Sequence, residues 1–477
     1  MHIDDAALHF DPRFEDPQEL RRITRRGFFR RLIGGTAAGA ALLSFGSNAF
    51  GAAAPPLNSL GRGATPDDER YWELVAGQFL IRKGLTYMNT GTRGPSPRSV
   101  HMAQIEAMVG IDSDYSGYTE NAYNKDYRAE LRNKMAAFLG VKTTEVAFTN
   151  NTTEGMVFGT FGPDLKRGDE IIYTNHDHSG GAHPILLRAA REGLAVKVID
   201  LSDRKFHPPK SPDDLLKAFE TAITPKTKLL SFCHINYTDG GVLPVKDICA
   251  MARAKGVLTL VDGAQTPGMM ALDLHDLGCD MYAGPSHKWM MASMYTGFFY
   301  VREGIQDRVW PTLYAGLVNG KNMYGREPAG DDANFYKKET PGLARFELRG
   351  SSHYPARVSI GASLDFHNHL TREAVEARDR YLAQRLHKGL RAIDGVDLYT
   401  SDDPRLGCAI VAFTVKGVPT KTVNDLLWDR HVIYIRKVTH PEIGWDVNRA
   451  SMHLMVTVRQ VDTLIGAIQE IATQKPS

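Results

Sequence analysis

Two short apolar runs, each ending in polar side chains, limit what this chain can fold into. The first, Gly256 to Met270 (GVLTLVDGAQTPGMM), is apolar up to Val261 and then releases Asp262, Gly263, Ala264 and Gln265. The second, Cys279 to Arg302 (CDMYAGPSHKWMMASMYTGFFYVR), holds two aromatic-rich runs around a polar knuckle where Ser286 and His287 stand directly before Lys288. Short continuous apolar runs predict strands buried on both faces, the strands of a parallel sheet covered by helices. AVKVIDL and KLLSFCHINY are two more such runs, with a helical DDLLKAFETAI between them, which is the alternation of a βαβ sheet. Open α/β sheets bind ligands beyond the carboxyl ends of their strands, so Asp262, Gln265 and Lys288 are brought to one edge.

A lysine beside a histidine and a tryptophan is most often a surface lysine at a strand end. The acid released by the neighbouring run changes that reading. A lysine amine held in a desolvated pocket can form a Schiff base with a carbonyl cofactor. Pyridoxal phosphate needs a lysine for its aldehyde, an aspartate to keep its ring nitrogen protonated, and donors for its phosphate. Lys288 and Asp262 meet the first two requirements. On these residues the chain resembles the class V aminotransferases, the fold type I pyridoxal phosphate family that holds cysteine desulfurases, isopenicillin N epimerase-like proteins and related lyases. The resemblance extends over residues 70 to 470.

It implies an α/β architecture: a large domain over 101–345 with a mainly parallel seven-stranded sheet, a small α+β C-terminal domain over 346–477, and a segment over 70–100 joining the small domain to the pocket. It also implies a homodimer with shared active sites. Past a strand at Glu145 to Phe148, NNTTEGMVFG opens a helix whose free N–H groups make an anion site, with Thr152 and Thr153 as the expected phosphate donors. Capping a helix is what such threonines usually do, and the two roles are compatible.

DEIIYTNHDHSGGAHP carries His176, His178 and His183, but no cysteine stands nearby to complete a zinc set, and no metal is expected. The family places a ring over the cofactor here, which on the pair Asp177 and His178 is His178. It places Asn236 and Gln265 near the phenolic oxygen, and Ser286 and His287 beside the lysine as further cofactor contacts. His234 reads as packing. A polar, glycine-rich stretch between Pro311 and Pro341 reads as a lid or contact loop and leads to Gly350 and Ser351, where the family has a hydroxyl reaching the neighbouring subunit's phosphate. Arg449, before Ala450 and Ser451, aligns with the family's substrate-carboxylate arginine, and Arg436 is a second candidate. Asn89 and Arg93, in a glycine-rich turn, are weaker candidates for the substrate pocket.

One departure bears on the reaction. A branch of the cysteine desulfurases carries a nucleophilic cysteine five residues beyond the arginine aligned with Arg436; here that residue is Pro441. This argues against a persulfide mechanism and leaves transamination, epimerisation, β-elimination or decarboxylation on an amino acid or a peptide-borne amino acid. The isopenicillin N epimerase-like group is the nearest resemblance. Exported relatives that mature the side group of a pyoverdine siderophore are a sharper one. A catalytically silent binding protein is the reading from a different class.

With 477 residues, 43% of them hydrophobic, the chain can bury two domains, and 57 basic against 55 acidic residues give no footprint for nucleic acid. The first 54 residues differ: paired arginines in TRRGFFR, a glycine- and alanine-rich apolar run, then small residues and prolines. They resemble a twin-arginine signal, which implies the twin-arginine export machinery as partner, delivery of a folded protein to the periplasm, and no stable membrane span. Cys233, Cys249, Cys279 and Cys408 have no paired spacing and are expected as free thiols.

Overall fold

The computed structural model describes residues 60–61, 64–202, 208–316, 321, 326–327 and 342–473. The twin-arginine segment and most of the stretch between Pro311 and Pro341 lie outside them. Thirteen strands run through the described chain: β1 (Thr86–Tyr87), β2 (Val146–Thr149), β3 (Glu170–Thr174), β4 (Ala195–Ile199), β5 (Thr227–Cys233), β6 (Leu258–Asp262), β7 (Met281–Pro285), β8 (Gly297–Val301), β9 (Val396–Leu398), β10 (Ile410–Val415), β11 (Ile433–Tyr434), β12 (Arg436–His440) and β13 (Trp445–Ser451).

The large sheet has seven strands in the order β2-β8-β7-β6-β5-β3-β4. All neighbours are parallel except β8, which runs antiparallel to both β2 and β7. Its apolar runs alternate between two cores, as side chains with a period of two must. Leu230, Val261, Tyr282, Phe298 and Tyr300 join one cluster with Leu131, Met135, Leu215, Phe219 and Ile248 from helices on that face. Leu229, Leu260, Met281, Phe299 and Val301 join the other, with Met156, Phe158 and Ile185. A strand buried on both faces has no polar position to spare, which is why these segments read as unbroken apolar runs.

Helix Lys125–Leu139 is started by Asn124, whose side chain accepts from the Tyr127 N–H, and stopped by Gly140 in the left-handed region at φ 68°. The C-terminal part is a four-stranded antiparallel sheet, β12-β13-β10-β9, covered by helices Arg372–Arg391, Thr420–His431 and Val458–Thr473. Val411, Phe413 and Val415 of β10 pack there with Leu382, Leu427, Leu464 and Ile468. Trp72 and Val75 of the N-terminal helix Glu69–Ala76 join the same core, and β1 pairs in parallel with β11. Helix Tyr354–Leu370 serves both parts: Ile360 and Leu364 enter a core of the large sheet, Phe366 and Leu370 the C-terminal core.

One polar cluster closes the β2 edge. The nearly buried Glu347 carboxylate meets Arg132 at 2.8 Å and Arg357 at 2.7 Å and accepts the Phe148 N–H at 3.0 Å. Burial by itself raises its pKa, but the two guanidiniums hold it below the usual carboxylate range. Replacing Glu347 by alanine leaves two arginines uncompensated at low exposure, and unfolding should show a loss of about 3–5 kcal/mol; a change under about 1 kcal/mol would mean that water repairs the gap.

Candidate active site

The carboxyl edge of the large sheet opens into a cavity lined by Asn151, Thr152, Thr153, His178, Gly180, Cys233, Ile235, Tyr237, Asp262, Ala264, Gln265, His287 and Lys288. Seven of the residues singled out in the sequence meet here: Thr152, Thr153, His178, Asp262, Gln265, His287 and Lys288.

Asp262 is the last residue of β6. Its Oδ1 accepts the Ala264 N–H at 2.8 Å, while Oδ2 lies towards Gly181, close enough that a Cβ there would come within 3.3 Å. Burial raises its pKa, and the Ala264 N–H and the Lys288 charge oppose that rise. Lys288 follows the end of β7, touches the cavity, and is otherwise surrounded by protein. Desolvation lowers its amine to about 8; Asp262 pulls the other way, while Arg449 and Arg436 add to the drop. Near neutral pH a usable fraction of the amine is therefore unprotonated, as a nucleophile or proton acceptor requires.

The turn carrying the lysine is fixed on every side. The Gly94 N–H donates to the His287 carbonyl at 3.2 Å, and a Cβ on Gly94 would overlap the Lys288 carbonyl oxygen. Trp289 Nε1 donates to Gln265 Oε1 at 2.9 Å, and Gln265 Nε2 donates to the Gly91 carbonyl at 2.9 Å, which leaves one amide hydrogen for the cavity. Ser286 Oγ is buried without a partner.

Helix Thr152–Phe161 presents its N-terminus to the same cavity, with Asn151 Oδ1 taking the Glu154 N–H at 2.9 Å. The remaining first-turn N–H groups and the helix dipole favour an anion. Arg349 is paired with Glu154 on this helix, and Ser351 lies two residues further, in a separate basic depression with Arg128, Arg132 and Arg357. Within one chain Ser351 does not line the cavity. His287 Nδ1–H donates to the Thr296 carbonyl at 3.2 Å, so its Nε2 can donate to an anion only when the ring is doubly protonated.

His178 caps helix Ser179–Glu192, with Nδ1 accepting the Gly180 N–H at 3.1 Å. Enclosure by protein, then the charges of Lys288, Arg436 and Arg449, lower it to about 4, so the ring is neutral with its proton on Nε2. Tyr237 stands edge-on to it at 5.2 Å and stacks at 6.2 Å on His440.

Asn236 does not line the cavity. Its Oδ1 accepts the Cys233 thiol at 3.2 Å, and its N–H donates to the Gly241 carbonyl at 2.9 Å. Arg449 is 1% exposed: Nη1 donates to the Tyr237 carbonyl at 2.6 Å, and Nη2 to Asn89 Oδ1 at 3.2 Å and Thr92 Oγ1 at 3.1 Å. Asn89 thus orients Arg449. Nε of Arg449 has no partner, and Arg436 faces Arg449 across the β12–β13 register. Arg93 is exposed, and its carbonyl accepts the Tyr87 hydroxyl at 2.8 Å.

Two residues at the site, Tyr237 and Asn151, and the environment of Asp177 are not legible in the sequence. Tyr237 follows Asn236 in the chain, but only the fold brings its ring to His178. The cap of the phosphate-side helix is Asn151, and Thr152 and Thr153 are the first two residues inside the helix. Asp177 is buried, raised to about 7 first by desolvation and also by the Asp262 charge, and bound to Thr174 through the N–H at 2.7 Å and Oγ1 at 2.9 Å.

The donor set fits pyridoxal phosphate. A carboxylate oxygen without a hydrogen bond, a lysine amine of lowered pKa and a helix N-terminus share one cavity, matching a ring nitrogen, an aldehyde and a phosphate. Because Lys288 ends near 8 rather than 10.5, the rate at which cofactor-free protein captures pyridoxal phosphate should rise with pH up to about 8 and then level off. A rate still climbing as pH approaches the ordinary lysine value would show an exposed amine instead.

The comparisons agree with this geometry. The chain is 28% identical over 404 residues to isopenicillin N epimerase of Streptomyces clavuligerus, covering 84% of this chain and 98% of that protein. It is 27% identical over 417 residues to a probable cysteine desulfurase of Methanothermobacter thermautotrophicus, again covering 84% and 98%. Among solved structures, a C-DES mutant with glycine covalently linked to its PLP cofactor superposes with a TM-score of 0.71 at 25% identity, covering 82% of this chain and 98% of that one. The Aminotransferase class-V family model matches residues 110–464, and with a pyridoxal phosphate site assembled from its own side chains, the chain belongs to that family.

Proposed function

We propose that this pyridoxal phosphate enzyme breaks a bond at the α-carbon of an amino acid, free or peptide-borne, with Lys288 moving the proton and Arg449 holding the carboxylate. The observation that carries this reading is the lysine amine, lowered to about 8, sharing one enclosed site with Asp262 and the field of a buried arginine.

Bound pyridoxal phosphate supplies a carbonyl that condenses with an amine and a ring that accepts the electron pair of the broken bond. The rest is the work of this chain. Asp262 would hold a proton on the ring nitrogen, Thr152, Thr153 and the helix N-terminus would take the phosphate, and neutral His178 would lie against the ring. Arg449, fixed by the Tyr237 carbonyl, Asn89 and Thr92, presents its guanidinium to the carboxylate. Desolvation lowers it to about 9, so a bound anion restores part of the charge stabilisation that burial removed. Lys288 Nζ then takes the α-proton, a role that needs the neutral amine its surroundings favour.

Transamination, epimerisation, decarboxylation and C–S cleavage share this beginning. C–S lyase chemistry is the second reading, favoured by one observation. All four cysteines are buried and free, and desolvation raises the thiol of Cys233, which lines the cavity, well above its ordinary value. With Pro441 where the persulfide-forming desulfurases have their cysteine, any sulfur released would leave on the product. That matches a C-DES neighbour described as a cystine C-S lyase in complex with its product cysteine persulfide.

The reading extends to the whole protein: export in folded form by a twin-arginine signal to the periplasm, and a homodimer in which Ser351 serves the neighbouring copy's phosphate. Among the described residues no helix is long and apolar enough to cross a membrane. The apolar run and TRRGFFR support export, and maturation of a glutamyl side group of a secreted siderophore is the finer reading.

Two measurements test the core of the proposal. Purified enzyme should show a visible band that borohydride bleaches, and Lys288→Ala should lack it and turn over no substrate; retained function in that variant would indicate a binding protein. Titration with L-amino acids and glutamyl peptides should find a compound that shifts the band. With that compound Arg449→Lys should raise KM about tenfold or more with a smaller effect on kcat; an unchanged KM would remove Arg449 from the carboxylate site.

A further inference from the structure

The turn after Lys288 contains a strained residue and a buried acid–base pair that the chemistry above does not use. Met291 sits at φ 63°, a left-handed conformation that a side chain beyond glycine adopts at a cost. It persists only if its surroundings hold it. The carbonyl of Trp289, the residue after Lys288, accepts from two imidazoles: His453 Nε2 at 2.9 Å and His367 Nε2 at 3.2 Å. A carbonyl only accepts, so both rings carry a proton on Nε2. The other nitrogen of His453, Nδ1, lies 2.7 Å from Asp379 Oδ2, and both side chains are 0% exposed. One proton is shared between them. Asp379 Oδ1 and His367 Nδ1 are buried without partners.

A pair of this kind is a poor way to stabilise a core, since well-packed apolar side chains of similar volume do as well or better. Its direction is informative. His453 stands two residues beyond β13, the strand that carries Arg449, and Asp379 belongs to helix Arg372–Arg391. The pair therefore joins the strand of the carboxylate arginine to the backbone of the cofactor lysine.

We infer that Asp379 and His453 are positioning residues for Lys288: through the Trp289 carbonyl they hold the strained turn in the one setting that aims Nζ at the cofactor aldehyde, in fixed relation to Arg449. Asp379 keeps the imidazole oriented, and His453 transmits that orientation to the lysine turn. The inference rests on Lys288 being the residue that bonds the cofactor.

Two substitutions separate positioning from scaffolding. The amide nitrogen of glutamine overlays imidazole Nε2, and that of asparagine overlays Nδ1. His453→Gln therefore keeps the donor to the Trp289 carbonyl, and His453→Asn keeps only the contact to Asp379. For each cofactor-free protein two quantities are measured: the rate of pyridoxal phosphate capture at Lys288, read after borohydride as the mass of the labelled peptide, and the affinity for pyridoxamine phosphate, which fills the same site without an aldehyde. His453→Asn should slow capture about tenfold or more while pyridoxamine phosphate affinity stays within about twofold, and His453→Gln should recover capture to within about threefold of the parent. Equal behaviour of the two variants, unchanged capture in His453→Asn, or parallel loss of capture and pyridoxamine phosphate affinity would overturn the inference. Should His453→Asn fail to fold, Asp379→Ala, which removes the partner of His453 Nδ1, takes its place, with the same split expected and unchanged capture counting against it. If the parent itself shows no labelled Lys288, the cofactor reading of that lysine fails first and this inference falls with it.

Discussion

An amine and a carboxylate enclosed together at the end of a buried sheet are the constraint to which the rest of this structure responds. Neither Lys288 nor Asp262 can keep its charge there without help, because removing an ion from water costs several kcal/mol even after the surroundings relax. Asp262 receives one backbone N–H. Lys288 receives the attraction of Asp262, opposed by Arg449 and Arg436. The outcome is an amine that gives up its proton easily beside an acid that holds one more readily than usual. That polarity serves a cofactor with an electrophilic carbonyl at one end and a basic ring nitrogen at the other. Without a ligand it is an unfavourable arrangement, so the residues around it must hold by packing what charge alone would disperse.

Much of that holding falls to a short segment near the start of the described chain. Gly91 accepts from Gln265 through its carbonyl and lies where a Cβ would crowd Ser451 Oγ at 2.9 Å and Arg449 Nη2 at 3.2 Å. Three residues on, Gly94 bonds the His287 carbonyl and leaves no room for a side chain against Lys288. Asn89 and Thr92 point the other way, to Arg449. A single glycine-rich turn thus meets the lysine of the large sheet and the arginine of the C-terminal sheet. The requirement for close backbone approach explains its glycines better than flexibility does.

This arrangement also explains what could be read from the sequence. The strands of the large sheet, and Asp262 and Lys288 at their ends, were legible because burial on both faces leaves a continuous apolar run whose end is marked by the first polar side chain. Thr152 and Thr153 were legible because helix starts have local chemistry. The role of Asn89 was legible only as an assignment to the substrate pocket; that it acts by orienting Arg449 depends on a contact across 360 residues of chain. Tyr237 and the turn of Asn236 towards Cys233 depend on how β5 ends, a detail with no sequence period. Asp379 and His453 are 74 residues apart and lie in segments that read as ordinary helix and strand end. Local patterns record which face of an element is buried, and they hold no record of which distant polar group will be found there.

The same contacts narrow the chemistry further than family membership does. An enzyme that stores sulfur on itself needs a thiol that is exposed, mobile and easily ionised. Here Cys233 is the thiol at the cavity, and it is buried, bonded to Asn236 and shifted away from ionisation by desolvation and by the negative charges of Asp177, Asp262 and Asp239. It lines the cavity as a protonated thiol and is unsuited to attack a substrate. The group at the reacting end that does exchange protons near neutrality is Lys288, and its reach is set by a turn pinned through Gly94, Trp289 and Met291. In the proposed reaction, which bond at the α-carbon breaks would depend on how the carboxylate is held relative to that amine, and Arg449 is the group proposed to hold it. Arg449 is itself fixed by a backbone carbonyl and two side chains, so the contacts that join the two sheets also set the relation between the buried guanidinium and the lysine amine.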